Sequence, residues 1–403
     1  MTERALSDLK VLEFGNLVSA PYCGKLMADL GAEVIKIEKP GIGDEARSKG
    51  PFAKDTPGLE RSGLFAYLNT NKLSITLNPG TFLGKRIFKE LVKDSDILLE
   101  NHPPSFMEEM GLTYKTLEKI NPRLIMTSIT PFGQTGPHRD YKAYELNTYN
   151  SCGYGYVSTA CITEPVMPPV KAGGRQTEFG AAQSASVATM CAVYVRDQIG
   201  TGQHIDISIQ EIMAGQYESI IEHWTLAENE MGGLTNPIIQ PMIPLECQDG
   251  WIFLMCVEDD QFDRMVEVMG NPEWAENELF ENRFLRADYA DALVPLLTEW
   301  TMQHTKDEIF KMCQEARIPV GPAYSSEDVV NSEHLNARKY FVEMDHPEMG
   351  GAKSPGAPYR LSVTPWQMGQ HAPSLGEHNE EIYCNRLGYG KEDLVLMRQA
   401  GVI

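Results

Sequence analysis

The sequence predicts an α/β fold: a Rossmann-like large domain built on a mostly parallel sheet, joined to a smaller α+β domain. Three observations carry this reading. Short apolar, strand-like runs alternate with helix-like stretches through the first half, the pattern that parallel sheets produce. Between residues 231 and 244 the composition shifts to Gly and Pro, with Pro237, Pro241 and Pro244 close together, which marks a boundary. A chain of 403 residues is also long for one core.

Taken in order, Val11–Phe14 reads as the first strand and runs into the loop Gly15-Asn16-Leu17-Val18-Ser19-Ala20-Pro21. A helix follows over about Tyr22 to Leu30, stopped by Gly31. Val34–Glu38 is the second strand, and Ser74–Leu77 and Asp96–Glu100 are two more, separated by a helix over about Phe82 to Val92. Leu124–Ile129 is the strongest later strand, and His204–Ile209 alternates as a half-exposed one. A long helical region over about Glu211 to Ala227 comes next. The expected domains are residues 1–225, a linker at 226–244, a small domain at 245–325 and a return to the large domain over 326–403. In open parallel sheets ligands sit at the carboxyl ends of strands, so the loops holding Asn16, Lys39, Asn101 and Thr130 are the places to look.

Charge and cysteine usage exclude several classes. A net charge of −21 with no basic run repels a phosphate backbone, so nucleic acid is not an expected partner. The eight cysteines stand singly, without the paired spacing of a zinc site or a disulfide framework, and suit reduced thiols in the cytoplasm. No apolar run reaches the roughly 18 residues that span a bilayer, so no membrane partner is expected. Glu38 ends the second strand where a ribose-binding acid would sit. The first turn nevertheless lacks the Gly-x-Gly-x-x-Gly of a dinucleotide site.

The most informative stretch is Gly173 to Ala182, which sets Glu178 at the mouth of a small-residue helix. Ala181, Ala185 and Ala188 share one face there and let another backbone or a ligand approach. A carboxylate in a first helical turn meets the positive end of the macrodipole and is expected to stay ionised, as a carboxylate nucleophile must. Acidic residues also favour helix starts for purely structural reasons.

Several pieces in order then resemble the family III CoA-transferases, also called the CaiB/BaiF family. They are Leu9–Phe14, Gly31–Glu38, Asn69–Lys72, Glu100-Asn101, Asn121–Ile125, Phe132–Pro137 and Gly200–Asp206. The resemblance implies two domains wrapped around a second chain as an interlocked dimer. It also implies an aspartate that attacks an acyl-CoA thioester, passing through a mixed anhydride to a CoA thioester on the carboxylate. Coenzyme A thioesters are then substrates, and no tightly bound cofactor or metal is needed.

Position by position, the family aspartate falls on Glu178, whose extra methylene adds ~1.5 Å of reach. The resemblance places Lys39 beside the adenine and phosphates, Lys72 and Lys142 near the diphosphate or 3′-phosphate, and Asn101 and His102 along the pantetheine arm. Tyr144 and Glu145 match a pair beside the nucleophile and the CoA, while Val18 and Ser19 border the acyl group. Departures from the pattern are Leu73, Glu109 and the stretch Asn236–Pro241 where a mobile glycine-rich lid is usual. These departures suggest a subunit whose catalytic aspartate comes from a homologous partner chain in a heterodimer or heterotetramer. Heteromeric (R)-benzylsuccinate CoA-transferase, with succinyl-CoA as donor, is such an arrangement. Three alternatives stand beside it: an autonomous transferase using Glu178, an acyl-CoA racemase with Tyr144 in place of a histidine, and a scaffold that keeps only the fold. For the racemase, an ordinary tyrosine with a pKa of about 10 is a poor base near neutrality.

Overall fold

Six segments of the sequence pair into one parallel sheet. The strands are β1 (Lys10–Phe14), β2 (Glu33–Glu38), β3 (Lys72–Thr76), β4 (Ile97–Glu100), β5 (Ile125–Thr130) and β6 (His204–Ser208), in spatial order β3-β2-β1-β4-β5-β6. The structure, a computed structural model, describes residues 4–157, 170–216, 218–228 and 239–403. The principal helices of this part are α1 (Ser19–Ala28), α2 (Phe82–Lys93), α3 (Pro104–Met110), α4 (Glu145–Ser151), α5 (Gln176–Ile199) and α6 (Ile209–Gly215).

Alternation decides which side chains go to which face. Val11, Val34, Ile97, Leu99, Ile125 and Ile129 pack against Ala20, Cys23 and Met27 of α1 and against α5. Leu12, Ile37, Ile75, Leu98 and Met126 form the other layer with Ile87, Phe88 and Leu91 of α2 and with Ile382, Tyr383 and Ile403 from the end of the chain. Of the small-residue stripe, Ala181 and Ala185 are fully buried and Ala188 partly so, Ala182 beside them is also buried, and Ser186 Oγ donates to Cys23 Sγ at 3.3 Å. Alanines at these positions let the 24-residue α5 lie close to α1.

Some boundaries differ from the sequence reading for local reasons. Helix α1 starts at Ser19 rather than near Tyr22, because proline is tolerated in a first turn and Pro21 does not delay it. Ile209 opens α6 instead of ending β6, since the Ser208 hydroxyl accepts from Glu211 N at 3.3 Å and caps the helix. The long helix expected after Glu211 is two pieces, α6 and Glu218–Ala227.

Contacts divide the chain into two units. The first takes in residues 1–155, 171–222 and 339–403, and the second takes in 156–170 and 223–338, against the expected limits of 225, 245 and 326. Within the second unit β7 (Met242–Cys247), β8 (Gly250–Met255) and β9 (Val320–Pro322) form an antiparallel sheet with β8 central. Pro244 and Pro322 thus fall on edge strands, where a missing N–H is tolerated. Leu245, Ile252, Leu254, Phe262, Leu297 and Ile309 are in its core. Back in the first unit, β10 (Phe341–His346) and β11 (Gly350–Pro355) make a hairpin.

Beneath the middle of the large sheet lies a chain of wholly buried charges. Lys36 Nζ contacts Glu13 Oε1 and Asp44 Oδ2, each at 2.7 Å, and Lys72 Nζ contacts Glu13 Oε2 at 2.7 Å. Beside them the Arg47 guanidinium pairs with Glu38 at 2.7 Å, so the acid considered for ribose binding is committed internally. Burial pulls the Lys36 ammonium toward neutrality, but Asp44, Glu13 and Glu38 outweigh it and hold its pKa above the ordinary lysine value. Removing one partner of such a group leaves an uncompensated buried charge. Lys36→Met is expected to destabilise the fold by about 3–5 kcal/mol, read from urea unfolding midpoints, and a loss under roughly 1 kcal/mol would show that the charges are not mutually dependent.

Candidate active site

The strand order reverses direction between β1 and β4, so the connections leaving their carboxyl ends run to opposite sides and leave a crevice. Two loops close its floor. Asn16 N donates to Asn101 Oδ1 at 2.9 Å, while Asn101 Nδ2 donates to Asn16 O at 2.8 Å and to Ser19 Oγ at 3.0 Å. Gly15 is required at this junction, because a Cβ there would meet Ala20 Cβ at 2.5 Å and Asn101 Oδ1 at 2.9 Å. Leu17 holds a left-handed φ of 58°, and its N–H is taken by Asp44 Oδ1 at 2.9 Å. The buried charge chain therefore reaches the crevice through Asp44.

Next to Asn101, the His102 ring lies 4.3 Å from Phe14 and 4.7 Å from Phe106 between centroids. Burial, helped by the Lys36 charge, pulls its pKa down to about 4, so the imidazole is neutral near pH 7. Its backbone N–H goes to Glu100 Oε2 at 2.8 Å. Glu100 is fully buried at the end of β4, and burial pushes its carboxyl up to about 7.

The opposite wall comes from α4 and α5. Glu145 is buried at the start of α4 and accepts both the backbone N–H (3.2 Å) and the hydroxyl of Thr177. Lys171 Nζ stands 3.8 Å from it. Glu178, in the first turn of α5, is 14% exposed and pairs with Arg175 Nη1 at 2.9 Å. Its carboxyl lies above the ordinary glutamate value: burial raises its pKa, Arg175 and Lys171 oppose that, and Glu145 adds to it. Burial is the larger cause, so the neighbouring carboxylate is not the main one.

These walls enclose a cleft of about 260 Å³. Of the residues expected at the site, Ser19, Asn101, His102, Lys142, Tyr144, Glu145 and Glu178 all line it. Val18 is fully buried at the start of α1 and does not line it. Lys39 is exposed on the loop after β2 and is not among the lining residues. Lys72 departs furthest from expectation: its ammonium is buried and held by Glu13, by Pro21 O at 2.7 Å and by Asn69 Oδ1 at 2.9 Å. Burial pulls its pKa down to about 8, with Lys36 adding and Glu13 opposing. A lysine at a strand's first residue looks like a solvated charge in sequence, and only the sheet around it makes it a core group. Asn101 is at the cleft, but its carboxamide is engaged in joining the two loops. Glu109, one of the departures from the family pattern, is exposed and outside the cleft. Of the lid stretch, residues 236–238 lie outside the described residues, and Gln240 is buried in the second unit.

Sequence reasoning missed Arg139 and Tyr141, which line the cleft, and Arg175. A signal existed for Arg175: its spacing of three residues from Glu178 is one that brings side chains together at a helix start. No group of three or more His, Cys, Asp or Glu placed to hold a metal occurs among the described residues. No helix among them is long and apolar enough to cross a membrane.

The pattern of CoA-transferase family III matches residues 6–379. The chain belongs to CoA-transferase family III. It is 34% identical to a succinyl-CoA–D-citramalate CoA-transferase of Chloroflexus aurantiacus, across 99% of this chain and 98% of that protein. It is 30% identical to the beta subunit of a succinyl-CoA–L-malate CoA-transferase from the same organism, across 100% of this chain and 99% of that one. The crystal structure of a CaiB/BaiF family protein from Brucella suis superposes with a TM-score of 0.85 at 29% identity, covering 96% of this chain and 100% of that one. Family III members are CoA-transferases, whose substrates are CoA thioesters, and the six-stranded parallel sheet with separate small antiparallel sheets is the fold they share.

Glu100 yields a test independent of substrate. Its carboxyl is raised from 4.5 to about 7 in the folded chain, so the native state keeps a proton that the unfolded chain has lost. Its contribution to stability is full below pH 4.5 and declines as pH rises to about 7. Glu100→Gln is expected to flatten that decline in thermal midpoints measured from pH 4.5 to 8, and a wild-type slope left unchanged by the substitution would refute the assignment.

Proposed function

We propose that this chain moves CoA from an acyl-CoA such as succinyl-CoA to a second carboxylic acid, with the Glu178 carboxylate as the acyl acceptor. The observation that carries this is the place of Glu178, at the head of α5 in the cleft at the carboxyl ends of β1 and β4. The carboxylate attacks the thioester carbonyl, a C–O bond forms, the C–S bond breaks, and CoA leaves as the thiolate. The thiolate then attacks the glutamyl carbonyl of the anhydride, which releases the donor acid and leaves a glutamyl-CoA thioester. The incoming carboxylate attacks that thioester, and the thiolate next attacks the new acid's carbonyl. The sequence closes with a new acyl-CoA and free Glu178. A raised pKa makes this carboxylate more basic and more nucleophilic, while Arg175 favours its ionised form.

Lys142 and Tyr144, at the exposed side of the cleft, suit contact with the CoA chain, and Ser19 with Tyr144 suits the acyl group. Ile129, Pro131 and Ile209 supply an apolar wall that accepts an acid with a hydrocarbon portion, of which (R)-benzylsuccinate is one. Malate and citramalate, named in the relatives, are the more polar candidates.

A second reading, in which a homologous partner chain supplies an aspartate, is favoured by the relative whose activity is divided between subunits. It is favoured also by the extra methylene of Glu178, since misplacing a reacting group by about 1 Å can cost roughly a hundredfold in rate. One experiment separates the two. The chain alone is incubated with succinyl-CoA, trapped with hydroxylamine and mapped by mass spectrometry, then assayed again with candidate partner chains. Under the first reading a hydroxamate appears on Glu178, and Glu178→Gln lowers transfer on the order of a thousandfold or more. Absence of that adduct, with activity appearing only beside a partner, would replace the first reading by the second.

A further inference from the structure

The cations around Glu178 differ in how they are held. Lys171 Nζ donates to Ala172 O and Gly174 O, each at 2.6 Å, so it is fastened to its own loop. Arg139 is flanked by Glu108 at 2.7 Å and Asp140 at 3.2 Å. Arg175 has a single side-chain partner among the described residues, Glu178, reached by one nitrogen at 2.9 Å. The contact is not the two-pronged kind that a guanidinium makes with a carboxylate at best, and among the described residues no other side chain takes the rest of its donor fork. Arg175 stands just before α5 with φ −121° and ψ 55°, and its side chain is 30% exposed against 14% for Glu178. Of the pair, Arg175 has the more exposed side chain, and Glu178 is the one that lines the cleft.

Chemistry at Glu178 removes this partner. When its carboxylate forms the C–O bond and the C–S bond breaks, the negative charge departs on the CoA thiolate. The acylated side chain is neutral, and a half-exposed guanidinium is left beside it. The other substrate of the reaction is itself a carboxylate. We propose that Arg175 is a positioning residue with two successive partners: the Glu178 carboxylate in the resting enzyme, and the carboxylate of the incoming acid once Glu178 carries CoA as its thioester. The first pairing also restrains the longer glutamate side chain toward one orientation. The second places the acid beside the carbonyl it must attack, which converts an encounter into a near-neighbour reaction. This rests on Glu178 being the acyl acceptor.

The sign of the pH effect follows from the groups that face Glu178. Arg175 and Lys171 favour its ionised form, and Glu145 on α4 disfavours it. Removing Arg175 therefore raises the carboxyl's pKa and lowers the ionised fraction at a given pH. The test uses the full chain with Arg175→Met and Arg175→Lys, succinyl-CoA as donor and a series of carboxylic acids as acceptors. Two quantities are read: the KM for acid against the KM for acyl-CoA, and the pH dependence of carbodiimide labelling at Glu178, which needs no turnover. The methionine variant is expected to raise the KM for acid roughly 10- to 100-fold and to leave the KM for acyl-CoA within about twofold. It should also move the labelling half-point to higher pH, and lysine should restore much of both. If wild type forms the Glu178 adduct and Arg175→Met moves neither quantity, or lysine is as poor as methionine, the inference falls. If wild type transfers CoA with no adduct on Glu178, the reading beneath it falls instead.

Discussion

The buried contact of Lys36 with Glu13 and Asp44 is the constraint from which the site's geometry follows. Glu13 is on β1, Lys36 on β2, and Asp44 on the loop beyond β2, so one ammonium ties two strands to a loop. Asp44 in turn accepts the N–H of Leu17, which fixes the backbone where it leaves β1 in a left-handed turn. Charges removed from water this completely are costly unless each is matched. The arrangement consequently has little freedom: Gly24 has no space for a Cβ, which would stand 2.1 Å from Glu13 Oε2. Asn101 extends the same fixation to β4. The floor of the crevice at β1 and β4 is held from beneath by ions and joined across by one carboxamide.

At and beside this rigid floor stand three titratable groups shifted by burial. His102 is made neutral, Glu100 is held partly protonated near neutrality, and Glu178 is made harder to ionise. The acid at the head of α5 is the one of these with a cation in direct contact. A carboxylate that is too readily ionised is a poor nucleophile, and one that is never ionised is none. Burial and Arg175 pull in opposite directions on the same oxygen atoms, which leaves Glu178 basic but available.

Much of the site was legible in the chain because its residues belong to local patterns. Ser19, Asn101, His102, Tyr144, Glu145 and Glu178 all sit at the end of a strand or the start of a helix, and such positions are marked by nearby sequence. Lys72 was misread for the opposite reason. Its partners, Glu13 and Pro21, are on β1 and α1, far away in sequence, and nothing beside it signals burial. Val18 lies on the right loop but points into the core, since one residue's difference in phase at a helix start exchanges inside for outside. Arg175 is harder to read from the chain, because an arginine before a helix start is as readily a solvated charge as the counter-ion of an acid one turn later.

The sequence by itself determined the alternation of strands and helices, the stripe of alanines that seats α5, the acid at that helix's start and the membership of CoA-transferase family III. These rest on interactions within a few residues or on patterns that recur along the chain. Tertiary structure alone decided which lysines reach solvent, which glutamates are held protonated, and which two loops meet at the cleft. Those properties depend on the dielectric and the charges around each group, and these are assembled from segments that only the folded sheet brings together.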